Sequence, residues 1–554
     1  MAGTKDRYLL ALPRGEGKVF LAWRLLGSDR PDMAFHVARR ADGGDWQQLT
    51  AEAVTNSTNY LDTPGQIGEC EYRIVDGDGA ASESVRVDCG AEASCRVVDV
   101  PLVAPASGSW RIGLGDLDGD GRIDFVVPTL VDGEVVLFAY GHDGKSMWEF
   151  RTGLPDPELH GNIPFTVWDI NGDGRAEVIV RRGGPRWAEL LSAVREGMKP
   201  ERTDHRTPIP SGDCIVALEG RTGEVLWEAP FEGHQRSMHM VSAHVNGIDK
   251  PAAVIFNVGT YEDVRTFAFD GLDGHLLWKV QQDRGGGHNI DAADIDGDGV
   301  QEVIVGGICY NGDGSIRWEA EPFGHTDISK PCRIDPSRDG MQVWYAVEGP
   351  PRELNGVYFV DSQGKTIFKE PYRHAHYGWI ARHTSKVPGL QPHTAEDARY
   401  EYGAAQAGAR EQGHFPIFLP DGSHWLNLTE WQRKNFVPVH WDAGPEVVFI
   451  IRKENKRVVR LLDTGQIEDV PDGKLPEGGQ YGRNLGCADV IGDFRENIVT
   501  IDHQRQRLMV LANPTVCKAR GYSPYDDFEY RHDRSRHGGG YYIYLSPPDR
   551  RVQN

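Results

Sequence analysis

The sequence predicts an all-β chain: an eight-bladed β-propeller, with seven blades as the alternative count, preceded by a small fibronectin-like β-sandwich. Three observations carry this expectation. A strand, an acidic loop and a second strand recur as a unit in IGLGDLDGDGRIDFVV (Ile112 to Val127), TVWDINGDGRAEVIV (Thr166 to Val180) and IDAADIDGDGVQEVIVG (Ile290 to Gly306). Further strands follow, with an Asp/Gly turn before one that ends in an aromatic residue, as in HDGKSMWEF, GRTGEVLWEA, DGLDGHLLWKV, NGDGSIRWEAE and DSQGKTIFKE. Four strands per repeat is the pattern of a propeller blade. Glycine is abundant, at 66 residues, and helical periodicity is scarce.

Residues 1–95 stand apart, with short alternating strands (VFLAWRLL, AFHVARR, EYRIVDGDG, ESVRVDCG) and no acidic loop, which predicts the sandwich. Residues 96–554 form the repeat. Its inner strands are placed by loops near Asp116, Asp169, His244, Asp294, Arg333, Arg382, Asp442 and Asp489, and YYIYLSPP near the C-terminus is expected to close the ring. Two polar, Gly/Pro-rich insertions, Glu189 to Pro210 and Val387 to Asn435, interrupt it; long loops on a rigid scaffold are commonly functional.

The acidic loops read as calcium sites. Carboxylates or amides stand at positions one, three, five and nine: Asp116, Asp118, Asp120 and Asp124; Asp169, Asn171, Asp173 and Glu177; Asp294, Asp296, Asp298 and Glu302. Hard oxygens at alternating positions, with glycines that let the backbone wrap, suit an ion taking six to eight oxygen ligands. An EF-hand is excluded, since position twelve carries no Glu and both flanks are strands. The alternative is a plain Asp-Gly hairpin without metal.

The formal net charge of −22 argues against a nucleic-acid partner and an anionic membrane surface. Eight cysteines without CxxC or knot spacing predict reduced thiols rather than a disulfide framework. No apolar run reaches membrane-spanning length, and MAGTKDRYLLALPRGEG has no signal-peptide core. The expectation is a cytoplasmic monomer, or a secreted one if a leader has been removed.

In a propeller the inner strands begin around one mouth of the central channel. The residues there are Arg111; Asn162; His234, Gln235, Arg236 and His239; His288 and Asn289; His325 and Lys330; Arg373, His374, His376 and Tyr377; Asn435 and His440; Tyr481, Arg483 and Asn484. This basic, His-rich mouth on an acidic chain predicts an anionic ligand. A carboxylated sugar fits better than a nucleotide, because no phosphate-binding fingerprint is present. Trp110, Tyr377 and Trp379 are candidates to stack on sugar faces. For each of these residues the plain alternative is a core or strand-capping role.

The segments WRLLGSDRPDMAFHVAR, STNYLDTPG and EYRI, the DxDGDGxxE loops, GGGHNIDAADIDGDGVQEVIVGG, GHTDISKPCRIDPSRDGMQVW and ADVIGDFRENIV together resemble family 11 polysaccharide lyases, the rhamnogalacturonan lyases, across nearly the whole chain. The resemblance implies structural calcium and cleavage of a rhamnose-containing uronic acid glycan by β-elimination. That reaction needs the uronate carboxylate neutralised, a base for the C5 proton and an acid for the leaving O4. His288 and His325 match rim histidines expected to hold a metal ion or the substrate carboxylate. Where the family has a rim Arg, this chain offers His376 or Tyr377; where it has a Lys, this chain offers Tyr481. Lysine-bearing segments expected after the first two loops are replaced, and Arg181, Arg182 and Arg186 are candidates for the missing charge. The catalytic set is thus His288, His325, His376, Tyr377 and Tyr481. The substrate-binding set is Arg111, Asn162, His239, Asn289, Lys330, His374, Arg483 and Asn484. The insertion at Val387 to Asn435 predicts an exo-acting enzyme on oligosaccharides. The competing functions are a glycoside hydrolase on a rhamnose–uronate linkage and a non-catalytic, calcium-dependent glycan-binding propeller.

Overall fold

The structure is a computed structural model. It describes the chain except residues 1–5, 42, 66–67, 107–110, 156–162, 198–207, 235–237, 284, 321–323, 350–351, 397–413, 482–484 and 537–554. The chain is nearly all β. Short helices Pro185–Arg195, Glu430–Asn435 and Phe528–Ser535 are the α-helices among the described residues, and no helix is long and apolar enough to cross a membrane.

The N-terminal part holds a three-stranded sheet and a four-stranded sheet around one apolar core that includes Trp23, Phe35, Val37, Tyr72 and Ile74. Beneath it, the buried Arg7 guanidinium donates to Asp29 and Asp76, which keeps an otherwise costly buried charge paired.

Eight four-stranded antiparallel sheets follow. The first runs Gly113–Gly115, Asp124–Val131, Glu134–Tyr140 and Ser146–Pro155. In the eighth, Gly486–Ala488, Asn497–Asp502 and Arg507–Leu511 are completed by Arg96–Pro101 from the start of the repeat. That strand fills the closing position expected of YYIYLSPP, a segment that lies outside the described residues.

The two faces of each sheet feed different cores, because successive side chains in a strand point to opposite sides. Val178 and Val180 join the core between sheets one and two, whereas Ile179 between them joins the core between sheets two and three. Val254 and Phe256 face sheet two; Ala253 and Ile255 face sheet four. The same sharing continues through the remaining sheets, and a core containing Leu114, Phe125, Val127, Val499 and Val510 joins the eighth sheet to the first. Burial on both faces explains why the second strands read as unbroken apolar runs instead of alternating.

The recurring aromatic has a defined task. Trp148, Trp227, Trp278 and Trp318, each on the outermost strand of one sheet, donate their indole N–H to the carbonyls of Gly220, Gly271, Gly312 and Ser362 in an outer turn of the next sheet. Further glycines of the same turns, Gly223, Gly274, Gly314 and Gly364, have positive φ and lie against the rings: a Cβ on Gly274 would come within 2.5 Å of Trp227. Phe368 repeats the packing under Gly422 without a hydrogen bond to give.

The helix Phe528–Ser535 crosses beneath the inner strands. Its Asp533 pairs with Lys330 of sheet five, Arg534 with Glu496 of sheet eight, and His532 lies 2.6 Å from the Ser242 carbonyl of sheet three. The adjacent Arg536 pairs with Asp291 of sheet four.

Trp227→Ala should destabilise the protein by about 3–5 kcal/mol, the usual cost of a buried aromatic. Trp227→Phe should cost only about 1–3 kcal/mol, because it leaves just the Gly271 carbonyl without its donor. Denaturant unfolding of the two variants would separate the contributions; a Trp227→Phe variant as stable as wild type would contradict this role of the indole N–H.

Candidate active site

Two β-bulges and a glycine pair build a cluster of imidazoles and carboxylates where the inner strands of sheets four, five and six begin. In the strand His325–Cys332 the pairing slips between Thr326 and Ile328, so Asp327 is the extra residue. A bulged residue re-aims its side chain, and here a fully buried carboxylate results. In Ala375–Ala381 the slip falls at Tyr377, between His376 and Gly378. Gly286 and Gly287 let the chain before sheet four lie against sheet five: a Cβ on Gly287 would meet Thr326 Oγ1 at 2.4 Å. Backbone bonds from Thr326 N to Gly286 O and from His288 N to Thr326 O fasten that approach.

Asp327 is the hub. His376 Nδ1 lies 2.5 Å from its Oδ2, while His288 Nε2 and His325 Nε2 lie 3.5 and 3.7 Å from its Oδ1. Glu348, at the end of the neighbouring strand, sits 3.7 Å from His325 Nε2 and pairs with His374. The rings of His288 and His325 meet edge to face at 4.3 Å. His325 is enclosed, whereas the side chains of His288 and His376 remain 14% and 24% exposed. The cluster therefore opens outward at these two imidazoles.

His325 Nδ1 approaches the carbonyls of Gly286 and Thr260 at 3.1 and 3.3 Å. Carbonyls only accept, so the proton belongs on Nδ1 and the Nε2 lone pair faces two carboxylates beyond hydrogen-bond reach. Burial lowers the His325 pKa to about 4, which keeps that ring neutral, and burial also raises the Glu348 pKa. One ligand atom from each of His288, His325, Asp327 and Glu348 falls within a 4.8 Å group, and the same holds for Glu348, His374 and His376. Acceptors converging in this way fit a divalent cation.

The acidic loops lie at the other end of the inner strands. The position-one carboxylates of Asp116, Asp169 and Asp294 accept backbone N–H groups from the glycines at positions four and six of their loops. The position-nine carboxylates accept the N–H of position two and are buried. Burial, reinforced by the neighbouring loop carboxylates, raises Asp124 to about 7, Glu177 to about 8 and Glu302 to about 7. In the third loop Arg317 pairs with Asp296 and Glu302, so a guanidinium meets part of that negative charge. The eighth loop is worn: Phe494 takes positive φ where the others have Gly, and Arg495 neutralises Asp493.

The structure brings together His288, His325, His374 and His376 of the predicted residues, with Tyr377 beside His376 at a ring distance of 5.4 Å. His239 is fully buried, and burial, with the neighbouring His325, lowers its pKa to about 3; it is a core histidine behind the cluster. Asn289 is spent on Ser329, accepting from its N–H and donating to its carbonyl. Arg111 is half-buried at the start of sheet one. Asn162, Arg483, Asn484 and Trp110 lie outside the described residues.

Four expectations are corrected. Tyr481 is buried in the core between sheets seven and eight, its hydroxyl donating to the Pro476 carbonyl, and is not brought to the histidines. Lys330 lies five residues along its strand from His325, roughly 16 Å at strand spacing, and its ammonium is held by Asp533 and Asp291. Arg181 is fully buried against Asp213, so it adds no charge to the mouth. Trp379 is enclosed, packed on His393 and donating to His383, which removes it as a sugar platform.

Asp327 and Glu348 lie inside their strands, so the mouth positions ahead of the strands do not include them. The available signal is a lone acid inside each strand, in HTDISK and in the apolar run WYAVE. A carboxylate in a strand buried on both faces needs partners.

The architecture and cluster define an all-β protein of repeated four-stranded sheets with a His/carboxylate centre at one end of the inner strands. The chain matches the models for rhamnogalacturonan lyase family 11, C-terminal domain, over residues 109–384 and for the rhamnogalacturonan I lyases beta-sheet domain over residues 3–87. It belongs to rhamnogalacturonan lyase family 11. It is 25% identical over 388 residues to the rhamnogalacturonan exolyase YesX, and 27% identical over 395 residues to the rhamnogalacturonan endolyase YesW, both of Bacillus subtilis (strain 168). Each alignment spans 62% of this chain and 62% of the relative's length. The crystal structure of YesX superposes with a TM-score of 0.75 at 21% identity, covering 99% of this chain and 96% of that one. The Bacillus licheniformis rhamnogalacturonan lyase PL11 gives 0.73 at 22%, covering 99% and 96%.

Burial sets a pH dependence. His239, His383, His393 and His532 are buried, which lowers each pKa to about 3. The unfolded chain binds protons at these sites near pH 6.5 while the folded chain does not, so stability falls as pH drops from about 6.5 toward 3, by about 1.4 kcal/mol per unit for each group. Urea midpoints at pH 7 and 5 should differ in that direction, and His393→Asn should flatten the slope; a pH-independent midpoint would contradict neutral burial.

Proposed function

We propose that the chain is a polysaccharide lyase that cleaves a rhamnogalacturonan-type uronic acid glycan by β-elimination. We read residues 1–95 as a β-sandwich and residues 96–554 as an eight-bladed propeller. The observation that carries the proposal is the Asp327-centred cluster, with His288 and His376 turned toward the opening.

In this reading His376 is the base. Its Nδ1 faces Asp327, a group that only accepts, so the proton resides there and Nε2 carries the lone pair for the C5 proton. Tyr377 supplies the proton for the leaving O4. Its hydroxyl accepts from the Arg433 guanidinium at 2.6 Å and donates to the Arg433 carbonyl at 3.2 Å, which fixes its position. His288, His325, Asp327 and Glu348 would hold a divalent cation, which when bound offsets the charge of the substrate carboxylate. Two imidazoles in that set suit a nitrogen-accepting metal better than calcium. The three acidic loops are oxygen-only and take calcium as structural sites, with Arg317 displaced from the third.

Asp327 and Glu348 are both buried, and acids flanking a glycosidic bond must reach it, so the glycoside-hydrolase reading is set aside. The Val387 to Asn435 stretch, expected to interrupt the repeat, instead supplies the strands Gln391–Glu396, Pro416–Phe418 and His424–Asn427 of sheet six; the relatives include an exolyase and an endolyase, and exo-action is the mode proposed here.

Incubation with rhamnogalacturonan or its oligomers should yield products absorbing in the ultraviolet from a 4,5-unsaturated uronate, released first from chain ends. His376→Ala should lower kcat by about 10²–10⁴-fold, the usual contribution of a general base. New reducing ends without that absorbance would overturn the lyase assignment. Separately, chelation should lower the melting temperature, and calcium at a hundred times its Kd should restore about 2.7 kcal/mol per site. Glu177→Gln should weaken that response, and a melting temperature indifferent to calcium would contradict the loop assignment.

A further inference from the structure

A second His/carboxylate group lies on the outer edge of sheets five and six, away from the cluster on the inner strands. Glu370 is near the end of the outermost strand Thr366–Pro371 of sheet five. His424 begins the outermost strand His424–Asn427 of sheet six, and His414 stands just ahead of the adjacent strand Pro416–Phe418. His414 Nε2 is 3.0 Å from Glu370 Oε1, and His424 Nε2 is 2.8 Å from Glu370 Oε2. One ligand atom from each residue falls within a 4.8 Å group.

Both rings are braced. Tyr372 packs edge-on against His414 at 5.7 Å and Phe418 against His424 at 4.9 Å, and the His414 carbonyl accepts the Glu396 N–H at 2.8 Å. Glu370 and His414 are 16% and 15% exposed, while His424, at 38%, leaves one side open to water.

We propose that Glu370, His414 and His424 form a peripheral site for a transition-metal dication of the zinc class, with water completing a four-coordinate shell. Imidazole nitrogen with one carboxylate is a donor set for zinc or cobalt and a poor one for calcium. Ligand atoms on a tetrahedral zinc sit about 3.3 Å apart, given bond lengths of about 2.0–2.1 Å. Each imidazole nitrogen lies near that distance from its own carboxylate oxygen, 3.0 Å to Oε1 and 2.8 Å to Oε2, and one ligand atom from each residue falls within 4.8 Å of the others. The alternative is an imidazole–carboxylate–imidazole ion pair without metal.

The position gives the site a structural consequence. Glu370 is four residues ahead of His374, and His414 leads into the third strand of sheet six. Glu396, whose N–H meets the His414 carbonyl, also accepts from the Arg373 guanidinium at 3.2 Å. A metal here clamps the outer strands of sheet six to the segment that carries His374 and His376. The proposal does not rest on the lyase reading.

The test uses the full chain, dialysed against zinc(II) with excess calcium to fill the acidic loops. Metal content is then measured for wild type, His414→Ala/His424→Ala, Glu370→Gln and His288→Ala/His325→Ala. The outer variants should each lose about one equivalent of zinc that the inner double variant retains, as removal of a ligand set requires. Cobalt(II) should give the intense visible bands of a tetrahedral site in wild type and in the inner variant but not in the outer ones. Glu370→Gln, which keeps a hydrogen-bonding amide between the rings, supplies the same readout should the double variant misfold. Unchanged zinc content in the outer variants, or zinc lost only from the inner variant, would leave an ion pair alone and overturn the proposal.

Discussion

The buried carboxylate of Asp327 is the constraint on which the proposed site depends. A charge taken out of water must be met by partners, and here His376 Nδ1 lies 2.5 Å from one carboxylate oxygen, while the other faces the Nε2 atoms of His288 and His325 at 3.5 and 3.7 Å across a gap suited to a cation. The bulge turns the carboxylate inward, and the glycine pair brings His288 close enough to face it. Removing the charge would remove the common reason for the three rings to converge.

The rest of the molecule holds those three sheets in place. Shared apolar cores couple each sheet to the next, and the tryptophan-to-turn bonds repeat the coupling at the rim in four of the junctions. On the other side, the helix Phe528–Ser535 with Arg536 ties sheets three, four, five and eight together through buried charge and hydrogen bonds. Motion of one sheet against its neighbour would expose apolar surface and strand paired charges together. His325 and His376 are thereby held on strands and His288 is fastened to sheet five by its backbone N–H on the Thr326 carbonyl, the kind of support an acid–base site requires.

Much of the architecture was legible because its causes are local. Acidic loops with glycines at positions four and six, apolar second strands and a terminal Trp each follow from a short-range demand, and they recur. The number of blades is less legible, since only three loops carry the full acidic set and the units at 242–256 and at ADVIGDFRENIV are degenerate. The site was half legible. His288, His325, His374 and His376 were found because inner strands begin at one mouth. Tyr481 and Lys330 were misplaced because position along a strand does not reveal what packs against it, and the partner of Lys330 arrives from Asp533, far along the chain. Asp327 escaped notice because a bulge has no periodic signature; without one, strand alternation would have turned that side chain the other way.

The account is tested most directly by the Asp327→Asn variant, assayed for turnover of rhamnogalacturonan oligomers and for divalent metal content after exchange. Asn keeps the volume and removes the charge. The account predicts a folded protein, shown by an unchanged circular dichroism spectrum, that loses the cation of the inner cluster and falls at least about 10²-fold in kcat. A folded variant that retains both the metal and wild-type turnover would contradict it.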